Sequence, residues 1–277
     1  MAERPRLPTT RARARARRRH DDLRALVMRL GREDFRRRHG DPELGPVVAL
    51  IASYLEADNI GAVLKTVPAR VGDDLVVSTL VVVDGGDDGT EDVATGLGAF
   101  VAVLPVNMGQ GVALKLGYDL ALSHGARYVV TIDADGQNDP AELPELLAPV
   151  LSDEADFVVA SRRLGRDDTA DRVRRAGVVF FAAAINLLTG LQLTDTSNGF
   201  RALRTEVLRD VVLEQDQYQT AELIISAASR GWRITERPTI WHPRASGESK
   251  KGHNVLFALN YARVVLRTWL RERRSGR

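Results

Sequence analysis

Two carboxylates at a two-residue spacing, Asp133 and Asp135, follow directly on the apolar run 128–132, in the stretch Asp133-Ala134-Asp135-Gly136-Gln137. Where an extended run becomes a turn, carboxylates so spaced reach one hard cation, and Gln137 adds a carbonyl oxygen. Mg²⁺ and Mn²⁺ favour oxygen ligands and keep positions open for phosphate oxygens. Asp and Gly after a strand also make plain turns, so the neighbours decide. Glu56 closes Ala52-Ser53-Tyr54-Leu55-Glu56 after the run 47–51, and Asp84 follows 80–83 at the head of a Gly-rich stretch ending in Thr90. A buried carboxylate at Asp84 accepts hydrogen bonds from a base N–H or a ribose hydroxyl. Asn107-Met108-Gly109-Gln110-Gly111 opens a helix, where glycines allow close backbone approach and the N-terminus favours anions. The Gly-Lys-Ser/Thr part of a nucleotide-hydrolase loop is absent.

These groups converge only if the elements place them together. Apolar runs at 47–51, 80–83, 100–104, 128–132 and 157–160 predict buried strands. Helices are expected at 58–67, 90–96, 111–124 and 140–151. Such alternation predicts an α/β fold with a mostly parallel sheet covered on both faces. In such sheets ligands bind beyond the carboxyl ends of the strands, which puts Glu56, Asp84, Asp133 and Asp135 on one rim. After 160 the pattern loosens into an Arg-rich loop, an apolar helix at 178–188 and a helix at 220–230. Ahead of the body, 1–20 reads as disordered. Residues 21–39 read as an amphipathic helix carrying Leu23, Leu26, Val27, Leu30 and Phe35. The expected units are a basic arm (1–44), a catalytic body (45–252) and a basic amphipathic C-terminal helix (253–277). In that last helix Val255, Leu259, Ala262, Leu266 and Trp269 share one face.

The net charge of +2 over 277 residues conceals an uneven distribution. Residues 1–40 hold 14 Arg and 5 acidic residues, +9 in all, which leaves the rest at −7. The arm is a solvated tail or a segment drawn to anionic lipid headgroups. Nucleic acid is not expected, because Phe35 is the one aromatic among those basic residues. There are no cysteines, which excludes disulfides, thiolate metal sites and cysteine nucleophiles. The longest apolar run falls well short of a membrane span. A cytoplasmic protein is expected, held peripherally at the inner face of a membrane.

In order along about 47–250, these residues resemble family 2 glycosyltransferases with the GT-A fold, most closely the dolichol-phosphate and polyprenyl-phosphate sugar synthases. Further elements of the resemblance are Ser161-Arg162, Asp195-Thr196-Ser197-Asn198-Gly199-Phe200-Arg201, Glu222, Glu236-Arg237-Pro238 and Arg244 through Lys250. It implies a nucleotide-diphospho-sugar transferase domain with helical extensions at both ends. Ala52, Tyr54, Glu56, Asp84, Asn107, Gly109, Gly111 and Asp133 would bind the donor. Asp133, Asp135 and Gln137 would hold Mg²⁺ or Mn²⁺. Arg162, Arg174 (or its neighbours Arg172 and Arg175), Arg244 and Lys250 would meet the donor diphosphate or an acceptor phosphate. Asp135, Asp195, Arg201, Glu222, Arg244 and Lys250 would form the catalytic group. There are departures: Leu55 stands where Asn is usual, Gly85 replaces a second Asp, Gln110 replaces Lys or Arg, and Asn198 replaces Ser.

The acceptor sets the remaining chemistry. A hydroxyl needs a general base, for which Asp195 and Glu222 are the candidates. A polyprenyl phosphate is already ionised and needs none. Six Arg between Ser161 and Ala176 suit an anionic acceptor. The expected reaction is transfer to a polyprenyl phosphate, with inversion. The alternatives are transfer to a hydroxyl of a polysaccharide or natural product, and an inactive nucleotide-sugar or lipid-binding relative. A nucleotidyltransferase would need Gly, Lys or Arg within 52–60, which has none.

Overall fold

The computed structural model describes residues 10–169, 172–244 and 254–275. Its centre is an eight-stranded sheet. Strand β1 (Val47–Ser53) lies between β3 (Leu75–Val83) and β5 (Tyr128–Asp133), parallel to both. β4 (Phe100–Val103) extends the parallel part beyond β3, and the two-residue β2 (Arg70–Val71) pairs antiparallel with the start of β3. On the other side β7 (Arg201–Arg204) runs antiparallel between β5 and β6 (Phe157–Asp167), and β8 (Ile234–Trp241) is parallel to β6.

β1, β4, β5, the second half of β3 and the start of β6 are apolar at nearly every position because both faces are covered there. Val48, Leu50, Leu80, Val82, Val129 and Val159 face one core. That core is closed by α1 (Thr10–His39), α4 (Gln110–Ser123), α6 (Arg172–Thr189), α8 (Gln219–Ser229) and α9 (Asn254–Ser275). Their sequence neighbours Val47, Ala49, Ile51, Val81, Val130 and Val158 face the other. There α2 (Ala57–Thr66), α3 (Thr90–Gly96) and α5 (Leu143–Leu151) pack, with a short 3₁₀ turn (Pro140–Glu142) leading into α5. The six-residue α7 (Thr205–Asp210) follows β7.

Two expectations are corrected. The N-terminal arm is helical from Thr10 onward, so its 10–20 part is not disordered. Arg and Ala are both strong helix formers, and their alternation carries no breaker. The helix is also not a free arm. Val27 and Phe35 are buried, Asp34 Oδ2 accepts from Val103 N (3.0 Å), and His39 Nε2 accepts from Val101 N (2.9 Å). α1 thereby satisfies amides on the outer edge of β4, an edge otherwise open to pairing with another chain. α9 packs on the body through Tyr261, Val264, Val265, Thr268 and Glu272. On the apolar face expected from the sequence, Leu259 and Leu266 point outward.

Candidate active site

The carboxyl ends of β1, β3 and β5 meet as the strand order predicts, with Ala52 opposite Asp133 in register. Asp133 and Asp135 are partly exposed at this rim. Gln110 Nε2 donates to Asp133 Oδ1 (3.1 Å), and Gln137 N donates to Asp135 Oδ1 (3.2 Å). Gly199 backs onto Asp133: a Cβ there would sit 2.5 Å from Oδ2. Arg244 bridges the rim, with Nη1 3.1 Å from Glu56 Oε1 and Nη2 3.1 Å from Asp135 Oδ2. One guanidinium thus balances two of the clustered carboxylates. Gln137 is tied to the end of β8: its side-chain Nε2 donates to His242 O (3.2 Å), and its main-chain carbonyl accepts from His242 N (2.9 Å).

Leu55, between Tyr54 and Glu56, has φ 52°, a left-handed conformation that a leucine adopts at a cost of roughly 1–2 kcal/mol. Its side chain fills the space over Gly86, where a Cβ would lie 2.7 Å from Leu55 Cδ2. Gly85 has φ 73°, and a Cβ there would lie 2.6 Å from Asn107 N. Gly85, where the second Asp is usual, is what lets the backbone pack this closely against Asn107.

Asp84 is buried, and its two oxygens accept from Met108 N (2.8 Å) and Gly109 N (2.7 Å). Burial outweighs those donors and pushes its carboxyl up to about 6. Gly111 N donates to Asp216 O (2.7 Å). The amides of 108, 109 and 111 at the head of α4 are thus engaged within the protein. This corrects the expectation of an anion site there.

Other predicted residues lie deeper. Arg162 and Asp195 form a buried bidentate pair, Nε to Oδ2 at 2.6 Å and Nη2 to Oδ1 at 3.2 Å. Arg162 also lies over the Trp241 ring at 4.5 Å and donates to Ser197 Oγ (2.8 Å). Glu236 holds the backbone N–H groups of Thr194 and Asp195. Asp195 is fully buried with both oxygens taken, which corrects its role as a base. Glu222 is also fully buried, accepting from Glu214 N (2.8 Å), Gln215 N (2.9 Å) and Arg271 Nη1 (2.8 Å). It is neither a surface carboxylate nor an accessible base. Arg201 is buried at the start of β7 with Nε toward Gly199 O (3.4 Å). Lys250 and the side chain of Arg174 lie outside the described residues.

The 214–218 loop and the seat that Gly199 provides carry no motif of their own in the sequence. The signal for the loop is Gly109 and Gly111 themselves. A Cβ on either would strike Asp216 O, at 2.6 and 2.7 Å.

Among the described residues, no three His, Asp or Glu side chains converge to hold a metal alone. Asp133 and Asp135 form a two-carboxylate, all-oxygen donor set beside a cation. That set fits a hard divalent ion whose remaining ligands come from a diphosphate.

A sheet of this order, with its acidic rim at the strand ends, defines a GT-A glycosyltransferase fold. The family described as Glycosyl transferase family 2 matches residues 48–212. The chain belongs to that family. It is 34% identical over 204 residues to the dolichyl-phosphate hexose transferase of Haloferax volcanii, covering 74% of this chain and 86% of that one. It is 30% identical over 221 residues to the undecaprenyl-phosphate mannosyltransferase of Micrococcus luteus, covering 76% and 89%. Among solved structures it is similar to glucosyl-3-phosphoglycerate synthase from Mycobacterium tuberculosis in complex with phosphoglyceric acid. That match has TM-score 0.64 and 22% identity, over 82% of this chain and 80% of that one. The same enzyme with Mn²⁺, UDP and glucosyl-3-phosphoglycerate matches at TM-score 0.61 and 20% identity, over 82% and 80%.

Proposed function

We propose that the chain transfers a hexose from a nucleoside-diphosphate sugar to a polyprenyl phosphate, with inversion, using Mg²⁺ or Mn²⁺ held by Asp133 and Asp135. The observation that carries the acceptor is the sealing of both candidate bases. Asp195 and Glu222 are fully buried and committed to internal hydrogen bonds. A hydroxyl acceptor would need a general base, and neither candidate is open to one, whereas a lipid phosphate arrives ionised. The two relatives named for dolichyl and undecaprenyl phosphate support the same acceptor class.

In this reading the nucleotide lies along Ala52, Tyr54 and Glu56, within the turn that Asp84 anchors. Gln110 and Gly199 fix the Asp133 carboxylate, and Gln137 tethers the end of β8 beneath the rim. Arg244 is poised to exchange Asp135 for a diphosphate oxygen as the leaving group gains charge. A bound divalent ion supplies Lewis-acid stabilisation of that leaving diphosphate. Lys250 remains a candidate phosphate contact.

The acceptor would arrive on the face formed by α6 and α9. These helices run side by side in the same direction: Phe181 packs against Tyr261 with its ring tilted (4.4 Å between centroids), and Trp269 Nε1 donates to Leu188 O (3.0 Å). Outward on α6 stand Val173, Val179, Phe180 (66% exposed) and Leu187 (86%). On α9 they are joined by Leu259 (64%), Leu266 and Leu270, with the exposed Arg263 and Arg267 among them. An apolar stripe about 21 Å long beside basic residues suits the surface of an anionic membrane. Among the described residues no helix is long and apolar enough to cross one.

The test is to incubate the purified chain with Mn²⁺, labelled UDP-, GDP- and dTDP-sugars and a polyprenyl phosphate, with Asp135→Ala as control. Labelled lipid from one donor, lost in the variant, supports the reading. Release of nucleoside diphosphate only when a hydroxyl acceptor is added would replace the lipid phosphate. No turnover and no nucleotide binding would sink the proposal.

A further inference from the structure

We infer that the two terminal helices, α1 and α9, jointly fasten the 214–218 loop against the Gly109–Gly111 turn, and that this fastening sets affinity for the sugar donor, with Arg24 and Glu222 as its positioning residues. The inference rests on the donor-binding half of the function proposed above. Most of its parts lie outside the residues 48–212 that define the family match.

The loop is held from both sides. From α9, Arg271 donates to Glu222 Oε1 (2.8 Å) and to Val212 O (2.7 Å). Glu222 in turn binds the amides of Glu214 and Gln215 with its two oxygens. From α1, Arg24 Nη1 donates to Glu214 O (2.8 Å) and to Asp216 Oδ1 (3.2 Å), while His20 pairs with Asp216 Oδ2. The loop then passes this restraint on. Asp216 O caps Gly111 N, and Gln217 Cγ lies 3.1 Å from where a Cβ of Gly109 would stand. On its opposite side the turn is pinned by Asp84. Between these two fastenings Gln110 extends to Asp133. Tyr218, closing the loop, has φ 60°, a left-handed conformation that the surrounding contacts must maintain.

A buried carboxylate that serves three donors is a rigid post. Glu222 cannot reach substrate through the loop it holds, so its effect on turnover runs through the turn. Loosening the loop lets the Gly109–Gly111 turn drift, and Gln110 with it, while Arg244 keeps its place between Glu56 and Asp135. The expected signature is weaker donor binding with chemistry largely kept.

The experiment uses the full chain with Arg24→Ala, Arg24→Lys and Glu222→Gln. The donor KM should rise about tenfold in Arg24→Ala and in Glu222→Gln, as losing one or two charged hydrogen bonds predicts. Their kcat should stay within about twofold, and Arg24→Lys should recover part of the affinity. Amide exchange should quicken at 109–111 and 214–218 but not in β5. Unchanged donor KM and unchanged exchange would overturn the fastening. So would quickened exchange in β5 as well, which would mean general loss of fold. Quickened exchange confined to the two segments, in a chain that turns over no nucleotide sugar, would sink the glycosyltransferase reading and leave the fastening intact.

Discussion

Asp133 keeps its place because residue 199 has no side chain. A methyl group on Gly199 would press on both carboxylate oxygens, and Thr131 Oγ1 pins the Gly199 carbonyl from below (2.6 Å), so the loop cannot retreat. The carboxylate must move instead. A misplacement of about 1 Å at a reacting centre costs on the order of 100-fold in rate. Gly199→Ala should therefore lose about that much kcat/KM, together with Mn²⁺ affinity measured by calorimetry. Full activity would show that Asp133 is not held where the chemistry needs it. Asp84 makes a second residue-scale prediction, through pH. Its folded value of about 6 lies above the ordinary 3.8, so the fold favours the protonated form. The stability this gives is fully present below about pH 4 and is lost as pH rises through 6. Relative to Asp84→Asn, which does not titrate, the native chain should lose on the order of 3 kcal/mol at most between pH 4 and 7. Urea midpoints of both chains at each pH check the slope, and parallel curves would refute it.

At the scale of elements, the outward face of α6 sets up a clean contrast. Phe180 and Leu187 are largely exposed, while Val178, Phe181, Ala182 and Ile185 on the same helix are buried. Phe180→Ser with Leu187→Ser should leave stability within about 0.5 kcal/mol, as exposed sites do. Co-flotation with phosphatidylglycerol vesicles should fall several-fold. A change in self-association with no change in flotation would assign the face to a second copy of the chain. The same helix explains what was legible beforehand. Its composition read as apolar nearly all round, and such a pattern does not say which side meets the core. The strands 47–51, 80–83 and 128–132 were readable because burial on both faces makes them continuous apolar runs. β7 was missed because four residues beginning with a buried Arg carry no such signature. The carboxylate rim was found from strand ends alone. The burial of Asp195 and Glu222 was not, because each owes its position to partners far along the chain, Arg162 and Arg271.

On the scale of the whole molecule, the chain is a mildly acidic catalytic body with a basic helix built into its surface. The uneven charge places +9 in residues 1–40 against −7 elsewhere, and several of those arginines are spent on internal pairs. Arg24 meets Asp216, Arg32 meets Asp119, and Arg37 and Arg38 meet Asp34. Exposed pairs of this kind contribute little individually. The weight lies with Phe35, set against Phe100 and His124 with centroids 6.4 and 5.1 Å away, and with Val27. Burying two such side chains stabilises by about 3–6 kcal/mol. Asp34 and His39 add hydrogen bonds to the edge of β4. Removing residues 1–40 should therefore lower the melting temperature by about 10 °C, at the 2–4 °C per kcal/mol typical of domains this large. It should also raise light scattering, because the bared edge of β4 offers unpaired amides to a second chain. A trimmed chain that melts with the full one and stays monomeric would show that α1 is an appendage. A trimmed chain that melts early would make the helix part of the catalytic body.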